Sequence, residues 1–166
     1  MMRGWALVMR GVTEEGIAAL EEGLSQWRAT GTHYLVPNRL ARAADALLIA
    51  GQTEKALKLV GEALGVVEST GDCWYEAELH RLHGEVLPID RTREREAAFR
   101  RALDVSRAQQ ARLFEVRAAV SLARLWQDDG RPAEARAVLA PVYAWFTEGF
   151  ETHDLKTAHA LLATLQ

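Results

Sequence analysis

Apolar and small residues recur along this 166-residue chain in columns about 40 residues apart. Leu20, Val60, Phe99 and Leu139 form one apolar column. Gly23, Ala63, Ala102 and Val142 stand three positions further on, and Leu24, Leu64, Leu103 and Tyr143 follow directly. Steps of three and four are the spacing of neighbours on one helix face. Two further columns are small: Gly4, Ala44, Gly84 and Ala123, then Gly16, Ala56, Arg95 and Ala135, with Arg95 the exception. Two helices of a hairpin cross closely only where small side chains occupy the crossing, and larger neighbours then fill the groove between them. A period of this kind predicts helix hairpins that each bury too little alone and must stack.

Glycines mark the helix ends. Gly11, Gly31, Gly51 and Gly71 are spaced by 20 residues, two beats are missed near Asp90 and Gln110, and Gly130 and Gly149 follow. Twenty residues is a helix of four to five turns plus a turn. The predicted helices are 3–10, 14–30, 33–50, 53–70, 73–88, 92–110, 112–129, 132–148 and 152–165. Asp72 is the expected cap of the fifth. Pro37 and Pro132 suit first turns, and Pro88 closes a helix. Pro141 falls inside 132–148 and is expected to kink or split it. With Arg95 in a small-residue column, the third unit is expected to pack loosely.

The resulting architecture is all-α: a superhelix of about four antiparallel hairpins forming one domain over 1–166. Leu155, Ala158, Leu161, Leu162 and Leu165 give the last helix an apolar face, so it should cap the stack. The crossing residue Gly4 comes so early that the first hairpin reads as truncated. Trp5, Leu7, Val8 and Met9 would then border an apolar edge, and a homodimer through that edge is expected.

Composition narrows the function. The formal net charge of -3 argues against a general nucleic-acid binder. Residues 91–124 are rich in arginine, but Glu94, Glu96, Asp104 and Glu115 interleave, as on a solvated helix face. Cys73 is the one cysteine, so no intrachain disulfide can form, and a reducing cytoplasm is the expected compartment. No apolar run reaches membrane-spanning length. The opening MMRGWALVMRG lacks a signal-peptide core and cleavage site.

Little suggests catalysis. His80 and His83 lie three apart beside Glu85, but no third and fourth ligand completes a metal site. His153 and His159 are six apart and do not stack on a helix face, and His33 reads as a helix-start residue. Cys73 has no base partner, so a packed or idle thiol outweighs a nucleophile. Trp126, Tyr143, Trp145, Phe146 and Phe150 read as core rather than a ligand pocket. No cofactor or metal is expected.

The columns resemble the tetratricopeptide repeat. The turn segments Gly-Gln-Thr-Glu-Lys-Ala (51–56) and Gly-Arg-Pro-Ala-Glu-Ala (130–135) match it, as do the pairs Ala63-Leu64 and Ala102-Leu103. The units are nearer 40 residues than the usual 34. Four stretches also resemble the C-terminal repeat region of bacterial multidomain regulators that carry a class III adenylate/guanylate cyclase or transcriptional-regulator domain and an ATPase. These are WRATGTHYLVP (27–37), WYEAELHRLHGEVL (74–87), AAFRRALDVSRAQQARLFEVRAAVSLARLW (97–126) and LAPVYAWFTEGFETHDLKTAHALL (139–162). No phosphate loop or metal-binding aspartate pair accompanies them, so the resemblance implies the scaffold and not the enzyme.

In such arrays the first helix of each hairpin lines a concave surface. The resemblance therefore implies an inward stripe of Asn38, Ala41, Asp45 and Leu48, then Glu78, Arg81 and Glu85, then Arg117, Val120, Arg124 and Gln127, extended by Trp5 and Val8. This mixed groove suits an extended peptide or a partner helix. The alternative is internal pairing, of Arg81 with Glu78 or Glu85 and of Arg117 and Arg124 with their neighbours. The expected function is a non-catalytic protein- or peptide-binding scaffold, or the regulatory arm of a signalling ATPase or cyclase. A small-molecule or signal-peptide sensor is the second reading, and an enzyme a remote third.

Overall fold

The computed structural model describes residues 1–32 and 35–165. Its described residues form nine helices: α1 (Met2–Met9), α2 (Thr13–Ala29), α3 (Val36–Ile49), α4 (Thr53–Thr70), α5 (Glu76–Val86), α6 (Thr92–Ala108), α7 (Arg112–Asp128), α8 (Pro132–Ala144) and α9 (His153–Thr164). The expectation for His33 lies outside the described residues. Consecutive helices pair as hairpins, α1–α2, α3–α4, α5–α6 and α7–α8. The first helices also pack on one another in the order α1–α3–α5–α7–α9, so they make one continuous layer.

The glycine beat is a beat of left-handed residues. Gly11, Gly31, Gly51, Gly71, Gly130 and Gly149 have φ between 65° and 81°. Gln110 keeps the beat without glycine, at φ 55°. Near Asp90 the chain instead turns through Pro88, whose carbonyl accepts the Arg91 N–H at 3.0 Å.

The column residues form the core. Leu20, Val60, Phe99 and Leu139 are no more than 2% exposed, each such burial contributing about 2–3 kcal/mol. One apolar cluster runs from α1 to α5 and a second from α6 to α9. At the first crossing a Cβ on Gly4 would lie 2.5 Å from the Leu20 nitrogen and 2.6 Å from the Gly16 carbonyl oxygen, so no side chain fits. Ala44 and Ala56 are wholly buried at the second crossing.

The third hairpin corrects an expectation. A Cβ on Gly84 would stand 2.4 Å from the Phe99 ring, so α5 and α6 touch intimately rather than loosely. Arg95 does not wedge them apart. Its Nε donates to the Gly84 carbonyl oxygen at 3.1 Å, and its guanidinium lies 5.9 Å from the Phe99 ring centroid.

Four other expectations change. Asp72 caps nothing, because the chain spends 72–75 on a turn in which the Cys73 carbonyl accepts both the Glu76 N–H and the Gln109 amide. α5 therefore starts at Glu76, with Tyr75 at its N-cap position. Pro141 does not split α8, which runs through it and stops three residues later at Ala144 instead of reaching 148. The apolar edge is not one surface either. Val8 is only 2% exposed, within the first cluster, and Leu7 and Trp5 are half-buried, which leaves Met9 as the exposed member. α9 docks Leu155, Ala158 and Leu161 into the second cluster, and Leu165 just beyond its end joins them. The aromatic group is not all core as expected: Trp126 is buried, whereas Trp145 and Phe150, in the segment after α8, are exposed.

Candidate partner-binding groove

The layer of first helices encloses a groove of about 470 Å³. α1 contributes Trp5 and Met9, and α3 contributes Ala41, Arg42, Asp45 and Ile49. α5 and the turn before it supply Tyr75, Glu78, Arg81, Leu82 and Glu85. α7 supplies Arg117, Val120, Ser121 and Arg124, and α9 closes the groove with His153, Asp154 and Thr157. Helical spacing explains the set: Glu78, Arg81 and Glu85 are separated by three and four, as are Arg117, Ser121 and Arg124, so each triplet shares a face.

Of the eight polar residues in the expected stripe, six meet here, Asp45, Glu78, Arg81, Glu85, Arg117 and Arg124, together with Trp5, Ala41 and Val120. Asn38 lies in a separate 230 Å³ recess with Met1, Met2, Leu35 and Arg39. Gln127 lies outside the groove, where its amide donates to Thr164 Oγ1 at 3.0 Å. Ile49 lines the groove where Leu48 was expected. Arg42, Tyr75, Ser121 and the α9 residues were not foreseen.

The floor is a hydrogen-bonded charge network. Arg81 donates to both oxygens of Glu78, at 3.0 and 2.8 Å, and to Glu85 at 3.3 Å. Ser121 donates to Glu85 at 2.6 Å, joining α5 to α7. Arg117 donates to Asp154 at 3.0 Å and reaches Glu78 at 3.5 Å, joining α7 to α9 and back to α5. The side chains of Arg81 and Glu78 are only 16% and 6% exposed. Burial opposes the charge on Arg81, but Glu78 and Glu85 outweigh it and raise its pKa. Arg117 is raised in the same way, burial being overcome by Asp154 and Glu78. Burial also pushes the Tyr75 phenol up, and the Glu78 carboxylate adds to the effect.

Internal pairing thus accounts for Arg81 and Arg117. It does not account for the rim. Among the described residues Arg124 has no hydrogen-bonding or ion-pair partner, and Arg42 has only the Trp5 ring, 5.3 Å from its guanidinium carbon. Asp45 accepts one hydrogen bond, from the Trp5 indole at 3.3 Å. Met9 and Ile49 stand about half exposed beside them. The groove therefore has a rigid, self-satisfied floor and a rim of two unpaired arginines and two apolar side chains. The other candidate chemistry does not converge here. His80 pairs with Glu76 at 3.4 Å, and Cys73 is an exposed free thiol. No cluster of three metal-ligating side chains occurs among the described residues.

No protein-family model matches the chain. An uncharacterised protein of Rhizobium meliloti (strain 1021) is 38% identical over 81 residues, which are 49% of this chain. The matched part spans only 8% of that relative's length. Among solved structures, a Podosopora anserina putative kinesin light chain with nearly identical TPR-like repeats superposes with a TM-score of 0.71 at 17% identity. The match covers 98% of this chain and 81% of that one. The fold is thus an all-α, tetratricopeptide-like helical-repeat solenoid. No helix among the described residues is long and apolar enough to cross a membrane.

Proposed function

We propose that the chain is a non-catalytic scaffold, one domain over 1–166, that binds a protein or peptide segment in the groove, in a cytoplasmic setting. The carrying observation is the contrast between floor and rim. A floor whose charges are already hydrogen-bonded holds its shape without a ligand, so little ordering cost falls on binding. A rim with unpaired Arg124 and Arg42 beside exposed Met9 and Ile49 is left to contact something else. Acidic or C-terminal carboxylate groups would meet the arginines, and an apolar side chain would cover Met9 and Ile49.

Selection of peptides from a displayed random library on the purified chain tests this reading. Enriched peptides should bind the wild type and lose about tenfold or more in affinity on Arg124→Glu, the size of one charge-assisted contact. Enriched peptides that bind Arg124→Glu and Asp45→Lys as tightly as wild type would place the site elsewhere.

The regulatory-arm reading rests on the four stretches that resemble cyclase- and ATPase-bearing bacterial regulators. That the matched segment is a small part of a much longer relative fits it. A small-molecule sensor is the second reading, favoured by the Tyr75 phenol and Trp5 indole in the groove wall. A thermal-shift screen that finds a metabolite but no peptide would prefer it.

A further inference from the structure

The segment joining α8 to α9, residues 145–152, carries an aromatic and acidic surface that its own copy covers only in part, Phe150 packing on Tyr143 at 5.8 Å. Trp145 is 55% exposed and Phe150 42% exposed. Trp145 is nevertheless held in place: Arg112 lies 5.0 Å over its ring and Phe146 packs edge-on at 5.3 Å. Glu148 has no ion-pair partner among the described residues, and Glu151 pairs only with Lys156, its side chain 91% exposed.

This surface complements the groove rim in both respects. The rim offers unpaired Arg42 and Arg124 with exposed Met9 and Ile49. The segment offers Glu148 and Glu151 with exposed Trp145 and Phe150. Thr152 leads directly into α9, and Asp154, two residues on, is held by Arg117 in the groove wall of the same copy. The segment is therefore anchored next to the groove of its own copy, with Trp145 and Phe150 partly open to solvent.

We propose that residues 145–151 of one copy dock in the groove of a second copy, so that the chain associates head to tail. The inference rests on the groove being a binding surface. Because donor segment and groove are different surfaces, the contact is heterologous and leaves a free segment and a free groove at the two ends. Assembly then grows with concentration unless it closes into a ring.

Sedimentation velocity from micromolar to sub-millimolar concentration tests this with complementary variants. One carries Arg42→Glu/Arg124→Glu, with Arg124→Glu alone as a milder groove variant; the other carries Trp145→Ser/Glu148→Lys. Unchanged far-ultraviolet circular dichroism establishes that each folds. Wild type should gain mass with concentration, and each variant alone should stay monomeric. Their mixture should stop at a one-to-one dimer, because one intact groove then meets one intact segment. A wild type monomeric throughout overturns the inference, while the displayed-peptide test still decides the groove reading. Variants that still self-associate, or that form no dimer when mixed, overturn it as well.

Discussion

Replacing Arg81 by methionine isolates the contribution of the groove floor. Methionine keeps much of the arginine stem's volume and removes the guanidinium. Glu78, its side chain 6% exposed, then loses both hydrogen bonds from Arg81 and keeps only the 3.5 Å approach of Arg117. Glu85 retains Ser121. Breaking a buried pair by removing one partner costs about 3–5 kcal/mol. The residual Arg117 contact and the partial exposure of Arg81 place this case near the lower end, at about 3 kcal/mol. For a chain of this size each kcal/mol lowers Tm by about 2–4 °C, so Arg81→Met should melt about 6–12 °C below wild type. Calorimetry reads the shift. The double variant Glu78→Met/Arg81→Met, which removes both charges, should recover most of the loss. Arg28→Met breaks an ion pair whose side chains are nearly half exposed and should move Tm by no more than about 2 °C. If Arg81→Met melts within about 2 °C of wild type, the network contributes no more than a surface pair and does not hold the groove floor in shape.

Three further outcomes follow from particular contacts. Gly84→Ala forces a Cβ into the Phe99 ring at 2.4 Å, and should cost about 1–3 kcal/mol in urea unfolding; no loss would mean that α5 and α6 do not cross there. Gln110→Gly relieves a left-handed non-glycine residue at φ 55° and should raise stability by up to about 1 kcal/mol, the gain offset in part by a looser unfolded chain; a lower urea midpoint would contradict it. Burial holds the pKa of His80 and of His83 below the ordinary 6.5, outweighing Glu76 and Glu94 respectively. The unfolded chain then binds more protons, so stability is full above about pH 6.5 and falls as pH drops through it toward the folded pKa values. His80→Gln/His83→Gln should flatten that slope, and an unchanged slope would assign it to other groups.

Much of the scaffold was readable because packing repeats. A column that returns every 40 residues reports the same contact four times, and Leu20, Val60, Phe99 and Leu139 are buried alike for that reason. Gln110 hid a left-handed residue because side-chain identity there carries no signal; the neighbouring hydrogen bonds, such as Ala111 N–H to the Ser106 carbonyl, impose the conformation. The same holds for the groove. Asp45, Glu78, Arg81 and Arg117 follow from the resemblance to tetratricopeptide arrays, whose first helices line the concave surface. Tyr75 and Asp154 do not. The first depends on a turn that replaces the expected opening of α5, and the second on how α9 seats against α7. The Trp5–Asp45 hydrogen bond joins residues 40 apart, which is one repeat, but nothing in a single column pairs an indole with a carboxylate.

In the proposed binding mode the groove lined by α1, α3, α5, α7 and α9, and not the outer helices, receives the partner. Amide chemical-shift mapping by NMR with a library-selected peptide tests it most directly. Binding in the groove should concentrate perturbations on Asp45, Glu85, Arg124 and their neighbours on α3, α5 and α7, saturating with one peptide per chain. Perturbations centred on the outer helices α4, α6 and α8, with the groove residues unmoved, would contradict it.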